Sequence, residues 1–302
     1  MFASLCTRAG HGFTVAAPAK VNLHLELLGK RPDGYHDLET LIACVNLFDT
    51  LLVQPSRELT LTCDTPGIPT DGKNLVLKAA NALRAAAGTD AGAAIHLVKR
   101  IPHEAGLGGG SSDAAAALFA LNQLWKLGLG LEQLKTVAGT IGSDVPSFLA
   151  GSASWCTGRG EIAEAVDLPK MHLVIVKPAV GLSTAAVYRS TTPPPYPLPE
   201  AERGSLVFNP LRFGEGGSRS EPGGVKGFNR LQTAAFALQP LVERVYDRLR
   251  ECEPRGVLLS GSGSSVFAVA RNAVDTRRIA REYAEKADPT DRVFAVETIA
   301  DP

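Results

Sequence analysis

Residues 104–125 read EAGLGGGSSDAAAALFALNQLW. Gly106, Gly108, Gly109 and Gly110 lead into Ser111, Ser112 and Asp113, after which Ala114, Ala117, Leu118, Leu121, Leu124 and Trp125 recur at helical spacing. Just upstream, AIHLVKRI (94–101) alternates apolar and polar residues as a strand does. The order is strand, glycine loop, helix, with a serine or aspartate set to cap the helix. A helix start leaves backbone N–H groups unpaired and carries about half a positive charge. Glycines let that backbone approach a ligand closely, so the stretch reads as an anion cradle, phosphate first, or as a glycine hinge. GxxxxGK[ST], a GxGxxG with its acidic ribose ligand, HRD, DFG and GxSxG are absent.

Working outward, FTVAAPAKVNLHLELLGK (13–30) alternates through Val21, Leu23, Leu25 and Leu27, which predicts a half-buried strand. TLLVQPSRELTLTCD (50–64) adds short β pieces, and NLVLKAANALRAAAG (74–88) predicts a helix ending at Gly88. GLEQLKTVAGTIG (130–142) reads as a helix, and GSDVPSFLAG (142–151) as a loop entering a short apolar element. From Met171 the pattern restarts. HLVIVKP (172–178) reads as a strand, RLQTAAFALQPLVERVYDRLREC (230–252) as one long amphipathic helix, and GVLLSGSGSSVFAVA (256–270) as two strands about a tight turn. Strands and helices without a strict βαβ rhythm favour an α+β class. The length of 302 residues suggests two domains, 1–169 and 170–302. Residues 191–227, rich in proline and glycine, read as a surface excursion from the second.

Thirty-one basic side chains balance thirty-one acidic ones. No global field then favours nucleic acid or an anionic membrane, and any anion must be held locally. Cys6, Cys44, Cys63, Cys156 and Cys252 form an odd set without a CxxC pair, which fits neither a disulfide framework nor a zinc site. The amino terminus lacks a signal-type apolar core and no apolar run reaches membrane-spanning length, so a cytoplasmic enzyme or binder, monomer or homodimer, is expected.

PAKVNLHLELLGKRPDGYHDLET (18–40), KRIPHEAGLGGGSSDAAAA (99–117), GSDVPSFLAG (142–151) and LLSGSGSSVFA (258–268) resemble, in order and spacing, the motifs of GHMP-superfamily kinases. The matching blocks run from about Ala17 to Ala268. Within the superfamily, GYH (34–36) and the triple glycine are similar to the branch acting on a cytidine diphosphate-linked methylerythritol. The resemblance implies a two-domain α+β fold, ribosomal S5 domain 2-like at the N-terminus and ferredoxin-like at the C-terminus. It also implies ATP-dependent phosphorylation of a 2-hydroxyl in non-mevalonate isoprenoid precursor synthesis.

Carried onto these positions, the resemblance sets the ATP phosphates, with Mg²⁺, over Gly106, Leu107, Gly108, Gly109, Gly110, Ser111 and Ser112, and Lys99 beside the adenine. No residue is assigned as a metal ligand beyond Ser112 and the phosphates as candidates for Mg²⁺. Lys20 and Asp144 become the catalytic pair, although locally Lys20 reads as a solvated strand lysine and Asp144 as an N-cap. A carboxylate can accept the proton of a poor alcohol nucleophile while a lysine offsets charge on the transferring group. Asn22 would meet the erythritol hydroxyls, Tyr35 would stack on cytosine, and His36 would bond its edge. In LSTAAVYR (182–189), Thr184 would touch substrate and Tyr188 would close the sandwich, while Gly261, Ser262 and Gly263 would complete the cradle. Locally, the last three read as a hairpin turn.

Two features depart from the superfamily pattern. His103 and Glu104 stand where small or apolar residues are usual, and read as solvent-facing. Arg230 and Gln232 stand where an Asn-Asp-Leu-Glu run has acidic residues. Other readings are a GHMP kinase for mevalonate, homoserine or a sugar, and a catalytically silent nucleotide-binding module.

Overall fold

The computed structural model describes residues 1–191 and 227–300, so most of the proline- and glycine-rich excursion lies outside the described residues. A short α1 (Phe2–Leu5) leads into β1 (Cys6–Ala9), β2 (Gly12–Lys30) and β3 (His36–Ser56), joined as an antiparallel ribbon. β4 (Leu59–Cys63) and β5 (Gly92–Val98) extend the sheet in the order β1-β2-β3-β5-β4, with α2 (Leu75–Ala87) between them in sequence. α2 ends as predicted, on Gly88 in the left-handed region at φ 63°.

α3 (Gly109–Leu124), α4 (Leu131–Ile141) and α5 (Val145–Ala150) follow, and β6 (Ala153–Thr157) and β7 (Ile162–Ala165) then add to the free end of β3. The four alanines Ala114 to Ala117 are fully buried. Their small side chains let α3 pack beside α2 and across β2 and β3, in a core with Val15, Leu51, Leu83, Leu97 and Phe148.

The second half begins with β8 (His172–Lys177), α6 (Thr184–Ser190) and the short β9 (Phe228–Asn229). α7 (Gln232–Leu238), α8 (Pro240–Glu251), β10 (Gly256–Leu259), β11 (Val266–Ala270), α9 (Ala273–Lys286) and β12 (Arg292–Glu297) complete it. The antiparallel order β10-β11-β8-β12 is the ferredoxin-like arrangement. Alternation divides β8 between two cores. Val174 and Val176 pack with Val245, Leu249 and Ile279, whereas Leu173 and Ile175 pack with Ala19, Val21 and Leu23 of β2.

That second contact corrects the expectation of a half-buried β2. Across a register shift between Pro18 and Ala19 the strand leaves the helix-side core (Val15, Ala17) and enters the intersheet core. Its polar face is covered too, with Lys20, Asn22 and Glu26 each no more than 4% exposed. The long helix expected over 230–252 is likewise two helices. Pro240 has no N–H to continue α7, so the chain breaks at Gln239 and restarts with proline in the first turn of α8.

The departures at 230 and 232 acquire structural roles. β9 lies parallel to β2, Arg230 N donates to Leu25 O at 2.8 Å, and the guanidinium grips Glu26 through Nε and Nη2 at 2.6 and 2.8 Å. Gln232 Oε1 accepts from Leu259 N at 3.1 Å. Arg230 thus supplies the counter-ion of a buried carboxylate. Arg230→Ala is expected to cost about 2 kcal/mol, because it strips that counter-ion, whereas the Glu26→Gln, Arg230→Ala pair should cost less than the sum of its parts. Urea unfolding of the cycle checks this, and strict additivity would count against it.

Candidate active site

β5 feeds the glycine loop and α3 lies behind it, but the capping differs from expectation. The cap position is Gly108, in the left-handed region at φ 67°, and no side-chain capping bond forms. Serines 111 and 112 and Asp113 are therefore already inside the first turns. The cap is crowded by β2 and α5: a Cβ on Gly108 would lie 2.9 Å from Lys20 Cγ and 3.0 Å from Phe148 Cζ. Lys20 N also donates to Leu107 O at 2.9 Å. The amides of Gly109, Gly110 and Ser111 precede the first intrahelical donor of the run, Ser112 N, which reaches Gly108 O at 2.9 Å. Ser112 Oγ is buried and, among the described residues, has no hydrogen-bond partner.

The 260–265 turn closes on this loop from the other sheet. Ser265 N donates to Ala105 O and Ser260 Oγ to Gly106 O, both at 3.0 Å. Asn229 Nδ2 holds the turn from behind, donating to Leu259 O and Gly261 O at 2.8 Å each.

Between the two loops lies Lys20. Its Nζ donates to Asn22 Oδ1 at 2.6 Å and stands 3.6 Å from Asp144 Oδ2. Asn22 Nδ2 donates to Thr40 Oγ1 at 2.8 Å, and Thr40 donates onward to His24 O at 2.6 Å, which fixes the orientation of the Asn22 amide. Asp144 occupies the N-cap position of α5, yet its side chain makes no capping bond. With 41% of that side chain exposed, the carboxylate faces Lys20 and open space together.

Lys99, expected on the adenine side, is held by two acidic side chains. Its ammonium pairs with Asp49 and, at 2.7 Å, with Asp113 Oδ2. Asp49 also accepts from the backbone of Arg100 and Ile101. Burial pushes the Asp113 carboxyl up to about 7 against the pull of Lys99, and the neighbouring Asp49 charge adds to the rise. The Lys99 stem still reaches the same cleft, alongside Ile68, Pro69, Asn74 and Leu75.

At the far end, Tyr35 is 56% exposed, and Arg159 Cζ sits over its ring at 5.0 Å from the centroid. His36 packs on Tyr188, with centroids 5.9 Å apart and planes 37° from parallel. Burial, and then the charge of Lys30, holds the His36 imidazole below its ordinary value, so it is neutral at pH 7. Burial, and then the Asp144 charge, raises the Tyr188 phenol. Thr184 Oγ1 lies 2.9 Å from Ser262 Oγ, tying α6 to the turn.

Residues 74–152 match the GHMP kinases N terminal domain and residues 212–288 the GHMP kinases C terminal domain. The 4-diphosphocytidyl-2-C-methyl-D-erythritol kinase of Pelotomaculum thermopropionicum is 40% identical over 273 residues, 89% of this chain and 93% of that one. The chain belongs to the GHMP kinase family. The enzyme of the same name from Exiguobacterium sibiricum is 38% identical, covering 88% of this chain and 91% of its own. A crystal structure of 4-(cytidine 5'-diphospho)-2C-methyl-D-erythritol kinase aligns at a TM-score of 0.73 with 36% identity, over 94% of this chain and 98% of that one. A homoserine kinase from Cytophaga hutchinsonii, at 19% identity and a TM-score of 0.69 over 97% and 96%, shares the fold.

In this GHMP kinase one cleft of about 1230 Å³ brings together Lys20, Asn22, Tyr35, His36, Lys99, Gly106 to Ser111, Asp144, Thr184, Tyr188, Gly261 and Ser262. Ser112 and Gly263 stand outside that lining. His103 and Glu104 are exposed, as read from the sequence, and also line the cleft. Sequence reasoning missed Thr40, Asn229, Arg159 and the 68–75 segment. Only Asn74 carried a signal, as the cap of α2, where it accepts from Val76 N at 2.9 Å.

The depressed His36 value fixes a sign. His36 favours folding in its neutral form, so that contribution is present above the ordinary value of 6.5 and lost as pH falls below it. Lys30→Met is expected to raise the His36 midpoint in an NMR titration, and an unchanged midpoint would assign the depression to burial alone.

Proposed function

We propose that this kinase transfers the γ-phosphoryl group of ATP to the 2-hydroxyl of 4-diphosphocytidyl-2-C-methyl-D-erythritol, yielding the 2-phosphate and ADP. The observation that carries this reading is the Lys20 and Asp144 pair, 3.6 Å apart, lining one cleft with both the open first turn of α3 and the Tyr35 and His36 pair. Phosphate donor, acid–base pair and an aromatic site for a base are thus continuous, and the names of the relatives support the same substrate.

ATP phosphates lie over Gly106 to Ser112, where the amides of Gly109, Gly110 and Ser111 point without intrahelical partners. Asp144 takes the proton of the substrate hydroxyl as its oxygen bonds to the γ-phosphorus, and the bond to the β,γ-bridging oxygen breaks to release ADP. Lys20, held by Asn22, offsets charge on the group in transfer. The second amide hydrogen of Asn22 serves the erythritol hydroxyls. The turn at Gly261, Ser262 and Gly263 closes the cradle. Lys99, its ammonium bound by two aspartates, offers its stem to the adenine side. Mg²⁺ entering with ATP would offset charge on the β- and γ-phosphates, and the hydroxyl of Ser112, buried next to the lining residue Ser111 and without a hydrogen-bond partner among the described residues, is a candidate protein oxygen for it. Tyr35, His36, Thr184 and Tyr188 receive the cytidyl end. In this reading residues 1–169 carry the nucleotide donor site and 170–302 complete the acceptor site. Both substrates are water-soluble, which supports action in the cytoplasm.

A panel of alcohols with ATP, scored by phosphorylated product, tests the assignment. Turnover of mevalonate or homoserine in preference to the cytidyl alcohol would overturn it. Asp144→Asn is expected to lower kcat by roughly 10² to 10⁴ with ATP binding retained, and turnover within a few-fold of wild type would remove Asp144 as the base. Tyr35→Ala should raise KM for the cytidyl substrate by about tenfold, which is ~1.4 kcal/mol and lies in the lower half of the range of base-stacking energies, and leave that for ATP nearly unchanged. Equal effects on both would count against a cytosine site here.

A further inference from the structure

The 158–161 turn between β6 and β7 spans the interval from the base site to the reacting carboxylate. Arg159 covers Tyr35, with Cζ 5.0 Å from the ring centroid. Its neighbour Gly160, at φ 108°, faces the other way, and a Cβ there would lie 3.7 Å from Ser143 Cβ and 3.9 Å from Asp144 Oδ1. Glycine frees this position to adopt a left-handed backbone close to Asp144. Leu38 N donates to Gly158 O at 2.8 Å and anchors the start of the turn on β3.

Arg159 is only loosely committed. Among the described residues it forms one ion pair, Nε to Glu161 Oε1, at 3.6 Å, which is beyond hydrogen-bond length. With 31% of the side chain exposed, the guanidinium lines the cleft and keeps donors for a ligand. Lys30 and Arg189 line the cleft too, while Asp33, which accepts from Tyr35 N at 3.1 Å, is the other acid that feels the charge of Arg159.

A substrate with cytosine at Tyr35 and His36 and its alcohol at Asp144 must lay its diphosphate across this interval. We propose that Arg159 is a specificity-determining residue whose guanidinium backs Tyr35 and donates to that diphosphate, so that the cleft selects nucleoside-diphosphate-linked alcohols over free ones. The inference rests on the function proposed above. Arginine suits both tasks, since its planar group stacks on an aromatic face and presents forked donors to phosphate oxygens.

Calorimetric titration with cytidine and with CDP separates the diphosphate contact from support of the base. Wild type is expected to bind CDP at least about tenfold more tightly than cytidine, the size of one charge-assisted hydrogen bond. In Arg159→Gln, shown folded by thermal melting, that preference should fall to about twofold, and Arg159→Lys should restore part of it by returning the charge. Equal weakening of both ligands in Arg159→Gln, with the preference intact, would make Arg159 a support for Tyr35 alone and overturn the inference. Equal binding of both ligands by wild type overturns it as well. Wild type that binds neither ligand would overturn the assigned function itself, and this inference with it.

Discussion

A single methyl carbon on Gly106 would sit 2.1 Å from the carbonyl oxygen of Ser260, and 2.9 Å from that of Gly263. Two backbone turns, one from each half of the chain, meet here with no room for a side chain. Gly106 is also left-handed, at φ 72°, so steric room and backbone conformation make the same demand. The cleft is arranged around this contact. The first turn belongs to the loop ahead of α3, whose first amides precede the intrahelical bonds. The second brings Gly261 to Lys20, where a Cβ would lie 3.2 Å from the ammonium. Separating the turns by the width of a methyl group would enlarge the space around Lys20 and admit water to it.

A lysine with 4% of its side chain exposed must be compensated, because a desolvated ammonium without partners is strongly disfavoured. The compensation is graded. Asn22 accepts directly at 2.6 Å, while the partly solvated Asp144 stands back at 3.6 Å. A tighter salt bridge would leave the carboxylate less open to the cleft. Thr40 and the backbone of His24 lock the Asn22 amide so that its oxygen, rather than its nitrogen, faces Lys20. A contrasting solution is found at Lys99, whose ammonium is enclosed by two buried aspartates and fixes the root of α3 to β3 and β5.

The elements readable from sequence were those whose cause is local. The helix of 109–124, its glycine approach, Gly88 as a helix stop and the strand at 172–177 follow from short-range spacing and backbone preference. The errors arose where distant chain intervened. β2 reads as half-buried because its polar positions look solvated, but the second sheet covers one face and the cleft residues cover the other. A functional role for Lys20 came only from the resemblance of PAK, since alternation alone assigns it to water, whereas its burial shows that water does not reach it. Asp49, Lys99 and Asp113 are separated by 50 and 14 positions, and no periodicity links them. Arg230 looked like a lost acidic residue because Glu26 lies 204 positions away. By contrast, Pro240 was visible, and the amphipathic pattern on either side obscured the break it imposes.

Zero net charge removes any long-range pull on two polyanionic substrates, so binding depends on charge inside one cleft. There, cations and acids are interleaved. Lys30, Arg159 and Arg189 lie at the end with Tyr35, Lys20 and Asp144 in the middle, and the amides of α3 beyond them. Partial charges on backbone amides attract phosphate without placing further mobile cations beside Lys20. An additional lysine at that point would repel Lys20 and compete with it for Asp144, whereas a helix terminus contributes a fixed dipole. The glycine-rich entry to α3 is therefore the form of positive charge that leaves the Lys20 and Asp144 pair undisturbed.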